Sequence, residues 1–179
     1  MAGTVAAIVL AAGEGTRFGG PKQRLLLPEV LAAVRASSVD ELVVVAGAHE
    51  LDVDARVVTC PEWERGMGAS LRCGLGALNP EIQAAVVVLA DGPDLSPAAL
   101  DRVLDAWRGG AGDVVAASYG GDRGHPVVLD RKVWDRFPDE GARALEAVLV
   151  PCDDLGSPGD VDTPADVPER LRGEARAES

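Results

Sequence analysis

The chain has 179 residues, of which 47% are hydrophobic, 26% charged and only 3% aromatic. That gives room for one domain with a core of Val, Leu, Ile and Ala, and it excludes a predominantly disordered chain. A net charge of −12 repels nucleic-acid backbones and anionic membranes, so neither is an expected partner, while a locally basic pocket for a small polyanion stays open.

Val5–Ala12 is continuously apolar, which predicts a strand buried on both faces. The run is far too short for a membrane span of about 20 residues, and it lacks the basic flank of a secretory signal. A cytoplasmic location is the expectation. A turn-rich stretch runs from Gly13 to Lys22, and Pro28 suits the first position of a helix continuing through Glu29–Ala36. Leu42–Ala46 and Arg56–Thr59 read as strands. Met67–Leu78 repeats Leu71, Leu75 and Leu78 at helical spacing, and Ala85–Ala90 is another apolar strand, ending at Asp91.

Ser96-Pro97 opens a helix whose stripe is Leu100, Val103, Leu104 and Trp107, and Gly109-Gly110 stops it. Val114–Ser118 and Pro126–Leu129 read as strands, Ala142–Val148 as a helix, Leu149–Cys152 as a short strand, and Thr163-Pro164 as the opening of a last helix. Residues 1–168 are expected to form a single domain, and the charged stretch 169–179 to fray as a tail. Apolar strands alternating with helices predict an α/β layered fold with a mostly parallel sheet. Such sheets bind ligands at the carboxyl ends of their strands. Gly13–Lys22 and Asp91 stand at such ends, and Gly124–Pro126 leads into a later strand. Cys60, Cys73 and Cys152 are widely spaced, odd in number and without His at ligand spacing, so three free thiols are expected rather than a disulfide or a zinc site. His49, Trp63, Trp107 and Trp134 have no constellation around them, and no nucleophile triad is recognisable.

The stretch from Leu10 through Ala11, Ala12, Gly13, Glu14, Gly15, Thr16 and Arg17 to Phe18-Gly19-Gly20-Pro21-Lys22 is not a dinucleotide fingerprint, because Phe18 occupies the third glycine position. Nor is it a P-loop, because Pro21 interrupts the Gly-Lys pair. Its small residues still allow close backbone approach and an anion nest, and Arg17 and Lys22 add two cations that could straddle a triphosphate. An ordinary strand-to-helix turn with two solvated bases has the same spacing. Gly66–Ser70 leads into the Met67–Leu78 helix, whose N-terminus offers N–H donors to an anion or is simply capped. Asp91, ending an apolar strand, must be solvated, paired or metal-bound; Mg²⁺ takes one or two carboxylates together with phosphate oxygens.

These segments together resemble the MobA-like NTP transferases. The pattern Leu-Ala-(Ala/Gly)-Gly-x-x-x-Arg-x-Gly-x-x-Lys is matched by Leu10, Ala11, Ala12, Gly13, Arg17, Gly19 and Lys22. Gly66-Met67-Gly68-Ala69-Ser70-Leu71-Arg72, Ala90-Asp91, Gly124-His125-Pro126, Gly141-Ala142-Arg143 and Asp160-Val161-Asp162-Thr163-Pro164 resemble further motifs in the family's order. The resemblance implies a three-layer Rossmann-like nucleotidyltransferase fold of the nucleotide-diphospho-sugar transferase type. Leu10–Gly15, Arg17 and Lys22 would wrap the nucleotide, with Gly66 and Ser70 beside it. Asp91 and Asp162 would hold Mg²⁺, with Asp160 a weaker third candidate, and Arg17, Lys22 and Asp91 would carry catalysis. His125 and Arg143 would face the acceptor. Ala11-Ala12-Gly13 is similar to the molybdenum cofactor cytidylyltransferase branch. This implies CMP transfer from CTP to a phosphorylated acceptor such as molybdopterin, with a molybdoenzyme receiving the product.

Two departures from the family stand out. Gly92 replaces the Gln of Ala-Asp-Gln-Pro, and Arg24-Leu25-Leu26-Leu27 runs straight into Pro28-Glu29-Val30, where the family carries several more residues. Four readings therefore stay open: cytidylyl transfer, guanylyl transfer to another phosphorylated acceptor, a glycosyltransferase using Asp91-x-x-Asp94, and a non-catalytic nucleotide-binding module or cofactor chaperone.

Overall fold

A computed structural model describes residues 3–13 and 23–175. Seven strands, β1 (Val5–Ala11), β2 (Glu41–Ala46), β3 (Arg56–Thr59), β4 (Ala84–Leu89), β5 (Val114–Tyr119), β6 (Asp122–Asp130) and β7 (Val148–Pro151), form one sheet in the order β3-β2-β1-β4-β6-β5-β7. β3, β2, β1 and β4 run parallel. β6 is antiparallel to both of its neighbours, and β7 is parallel to β5. The α/β architecture with a mostly parallel sheet is as the strand pattern implied.

β1 lies between β2 and β4, and all seven of its residues are buried. Its alternate side chains feed two cores, as the pleat requires. Val5, Ala7, Val9 and Ala11 join the layer of helices α1 (Gln23–Arg35) and α3 (Pro97–Arg108), whereas Ala6, Ile8 and Leu10 join the layer of α2 (Met67–Gly76). A smaller cluster of Leu26, Val161, Val167 and Leu171 fastens the C-terminal segment to α1.

Four expectations are corrected. α1 starts at Gln23 and carries Pro28 inside it. An internal proline forfeits a backbone hydrogen bond at a cost of about 3 kcal/mol, which the complete burial of Leu26, Leu27, Val30 and Val34 offsets. Residues 142–148 do not form a helix: a single 3₁₀ turn covers Ala142–Ala144, and Val148 enters β7. Pairing of Val148 and Val150 with β5 draws these β-branched residues into the sheet. Cys60 and Cys73 form a disulfide, with Cα atoms 5.7 Å apart, while Cys152 is free and buried. Parallel packing sets the end of β3 beside α2, a proximity that a separation of 13 residues does not announce. Finally, the charged C-terminal stretch begins with helix α4 (Glu169–Ala175), held by buried Leu171 and by Arg170, which pairs with Asp94 at 2.7 Å. β6 begins at Asp122, because Gly120-Gly121, both at positive φ, turn the chain back in a hairpin with β5. Among the described residues, no helix is long and apolar enough to cross a membrane.

Candidate active site

Asp91 follows β4, one residue past Ala90, whose N–H donates to the carbonyl of Leu10 at 3.0 Å. The segment after Pro158 runs alongside it: Asp94 N–H donates to the Pro158 carbonyl at 2.9 Å and Val161 N–H to the Asp91 carbonyl at 3.0 Å. This ladder brings Asp160 and Asp162 to Asp91, and one carboxylate oxygen from each lies within 4.8 Å of the other two. Opposite ligands of an octahedral Mg²⁺ stand about 4.2 Å apart, twice a bond of about 2.1 Å. Only one pair among three ligands can stand opposite, and adjacent ones lie about 3.0 Å apart, so the three oxygens must draw together to share one ion; an all-oxygen set suits a hard divalent cation.

Thr163 and Asp166 take the capping duty that could have claimed Asp162. The Asp166 carboxylate accepts from Thr163 N–H and Thr163 Oγ1, both at 2.8 Å. Asp94 is turned to Arg170 and stands outside the carboxylate group, so a paired-Asp arrangement over Asp91-x-x-Asp94 does not form.

Gly66 and Gly68 have an unforeseen role. Gly66 caps α2 at φ 131°, a backbone region that favours glycine. A side chain on Gly66 would strike the Asp139 carbonyl, and one on Gly68 the Pro138 carbonyl. The close approach these glycines permit is thus to the start of the chain's own 138–143 strap. Gly68 N–H donates to the Asp139 carbonyl at 2.7 Å. Asp139 Oδ2 accepts from Arg65 Nε at 3.2 Å and Arg65 Nη2 at 3.0 Å, and its Oδ1 accepts from Arg72. The Arg72 hydrogen bond, seconded by Arg65, holds the Asp139 carboxyl below its ordinary range. Arg72 is therefore tied to the strap. Ser70 is buried on the first turns of α2.

Between α2 and the strap, at the carboxyl ends of β1 and β4, lies a pocket of about 120 Å³. Its floor is Leu10, Leu71, Val87 and Leu89, with half-exposed Met67 at the mouth and Arg123, His125 and Arg143 around it. Arg123 donates to the carbonyls of Leu145 at 2.5 Å and Ala142 at 3.1 Å. Burial and the neighbouring Arg143 both lower its pKa, as two cations sharing a wall must. His125 Nε2 is buried and has no hydrogen-bond partner. Burial pushes this imidazole down to about 4, against the opposing pull of Asp160. A Cβ on Gly92 would lie 2.9 Å from His125 Nε2 and 3.0 Å from Pro158 Cβ; the His125 ring occupies the room that a larger residue 92 would need. A larger cleft of about 410 Å³, lined by Gly3, Trp107, Asp130 and Lys132 among others, sits at the amino ends of β1 and β4 and contains none of the sequence candidates.

Leu10, Ala11, Ala12 and Gly13 close β1 and lead toward this region. Glu14, Gly15, Arg17 and Lys22 lie outside the described residues. Sequence reasoning ranked Asp160 below Asp162 and overlooked Arg123, although Arg123 directly precedes the Gly124-His125-Pro126 motif. The carboxylate that bonds α2 belongs to Asp139, two residues before the Gly141-Ala142-Arg143 motif.

A family model described as the MobA-like NTP transferase domain matches residues 7–150. The crystal structure of Rv0371c from Mycobacterium tuberculosis H37Rv is 30% identical, with a TM-score of 0.74 over 96% of this chain and 98% of that one. A complex of Rv0371C with manganese is 25% identical, with a TM-score of 0.65 and full coverage of both chains. Among curated proteins, the bifunctional protein GlmU of Streptomyces avermitilis is 39% identical over 167 residues, 81% of this chain and 32% of that protein. The 2-C-methyl-D-erythritol 4-phosphate cytidylyltransferase of Xanthomonas campestris pv. campestris is 39% identical over 136 residues, 65% of this chain and 51% of that protein. The chain thus spans about a third to a half of the length of these curated relatives.

Proposed function

Because the chain belongs to the MobA-like NTP transferase domain family, we propose that it transfers a nucleoside monophosphate, CMP from CTP being favoured, onto a phosphorylated small-molecule acceptor with release of pyrophosphate. The observation that carries this reading is the meeting of Asp91, Asp160 and Asp162 beside a pocket walled by Arg123 and Arg143.

An oxygen of the acceptor phosphate attacks the α-phosphorus of the NTP. The bond from that phosphorus to the bridging oxygen breaks, and the electron pair leaves with pyrophosphate. A divalent cation, Mg²⁺ in this reading and held by Asp91 and Asp162 with Asp160 beside them, supplies charge neutralisation at the phosphates when bound; the manganese complex of Rv0371C supports a divalent site. Arg17 and Lys22 hold the pyrophosphate half, Leu10–Gly15 and Ser70 the nucleoside, and Arg143 with His125 the acceptor. Catalysis then rests on positioning and charge rather than on a protein nucleophile. At neutral pH, His125 is uncharged and offers a hydrogen bond, not a cation.

Molybdopterin is the favoured acceptor, with a molybdoenzyme as onward recipient and the cytoplasm as location; Ala11-Ala12-Gly13 supports this choice within the family. A small apolar floor flanked by two guanidiniums suits an acceptor that joins a compact ring to an anionic group. Guanylyl transfer to another phosphorylated molecule is the alternative that residues 10–13 leave nearest. A non-catalytic nucleotide-binding module is the second reading, favoured by Gly92 and by the short segment after Lys22. A thermal-shift panel of the four NTPs with Mg²⁺ tests the nucleotide, since a ligand of the native state stabilises it by mass action. CTP is expected to give the largest shift, and pyrophosphate release with molybdopterin then separates transfer from mere binding. If no NTP with Mg²⁺ shifts the transition, the proposal fails.

A further inference from the structure

We propose that Asp139 is a positioning residue: gripped by Arg65 and Arg72, it clamps the 138–143 strap onto the first turn of α2 and so sets the spacing between the nucleotide-side Ser70 and the acceptor-side Arg143. The proposal rests on the nucleotidyltransferase reading and adds to it how the two substrate sides are held in register.

The strap has no regular secondary structure between Phe137 and Gly141, so neither helix nor sheet fixes its position. Two independent holds do so instead. At its start, the Asp139 carboxylate is bonded from both oxygens by arginines on either side of the α2 N-terminus, Arg65 before it and Arg72 within it. Arg72 also donates to the Phe137 carbonyl at 3.3 Å, and Gly68 N–H donates to the Asp139 carbonyl. At its far end, Arg123 holds the carbonyls of Ala142 and Leu145. The pocket lies between these holds, with Met67 and Leu71 of α2 on one side and Ala142 and Arg143 of the strap on the other. Its width is therefore set by the clamp. A carboxylate bonded at both oxygens has geometric specificity that a single-point contact lacks. Backbone contact through Gly66 and Gly68 leaves no slack for the strap to slide inward.

The test uses the full chain with Asp139→Asn, Asp139→Glu and Arg72→Met. It combines amide hydrogen exchange with the Kd of CTP in the presence of Mg²⁺. In Asp139→Asn, exchange at the Gly68 amide is expected to rise about tenfold while the central amides of β1 and β4 stay unchanged, since this is a local opening. The Kd of CTP is expected to rise about three- to tenfold as the strap side of the pocket drifts from Ser70. Arg72→Met should act in the same direction, and Asp139→Glu, which keeps the charge, should return both readouts to within about twofold of the parent. Unchanged Gly68 exchange in Asp139→Asn overturns the clamp. So does an equal rise throughout β1 and β4, which would mark Asp139 as a general stabiliser. If the parent chain binds no NTP with Mg²⁺, the transferase reading fails and takes the positioning role with it, whereas the Gly68 readout still reports whether the contact itself holds.

Discussion

Gly92 gives the sharpest quantitative test of the site. A Cβ placed there meets His125 Nε2 at 2.9 Å, Pro158 Cβ at 3.0 Å and the Gly159 carbonyl at 3.3 Å, where ordinary contact begins at 3.4 Å. The first two overlaps are 0.5 Å (3.4 − 2.9) and 0.4 Å (3.4 − 3.0), and they come from separate segments, so no single small movement relieves both. Overpacking of this kind costs about 2 kcal/mol. Gly92 does not have a left-handed backbone, so Gly92→Ala also restricts the unfolded chain, which returns about 0.5–1 kcal/mol. The net loss is about 1–1.5 kcal/mol, or about 2–6 °C in the melting midpoint of a chain this long. In a His125→Ala background the larger overlap is gone, so the same substitution is expected to cost about 1 kcal/mol less, a coupling that a double-mutant cycle by thermal and urea unfolding can resolve. A Gly92→Ala midpoint within about 1 °C of the parent, or an equal cost in both backgrounds, would refute the argument that the imidazole fills the space beside Gly92.

Asp162→Asn should weaken Mn²⁺ binding about tenfold or more, read by paramagnetic resonance. His125 has a folded pKa near 4, below its unfolded value of about 6.5, so the unfolded chain binds the extra proton between those values. The His125 contribution should therefore lower stability as pH drops from about 6.5 to 4 and level off below, and His125→Gln should remove that part of the slope in urea titrations. Reducing the Cys60–Cys73 disulfide with dithiothreitol should lower the unfolding free energy by about 2–3 kcal/mol, given the short loop it closes, and Cys73→Ser should abolish the effect of reductant.

The ends of β1 and β4, and Asp91 after them, were legible because short, β-branched-rich apolar runs bounded by turn residues read as strands buried on both faces, and a carboxylate ending such a run stands at the sheet's ligand edge. Asp162 was legible as a candidate through resemblance, while an Asp just before Thr163-Pro164 also suits a helix cap. Thr163 and Asp166 bond each other, so the capping of that turn falls to them. Ala142–Val148 misled because helical spacing is a local signal, and the free edge of β5 offered the valines a better partner.

Residues near one another in sequence thus fixed the strand order of chemistry along the chain: a small-residue turn, an Asp after the fourth strand, and a closing acidic motif. Folding decided which distant groups share a site. The joining of Cys60 to Cys73, the grip of Arg65 and Arg72 on Asp139, and the packing of His125 over Gly92 all depend on the sheet bringing segments remote in sequence together. No periodicity records such contacts, because they are made between segments whose separation along the chain bears no relation to their distance in space.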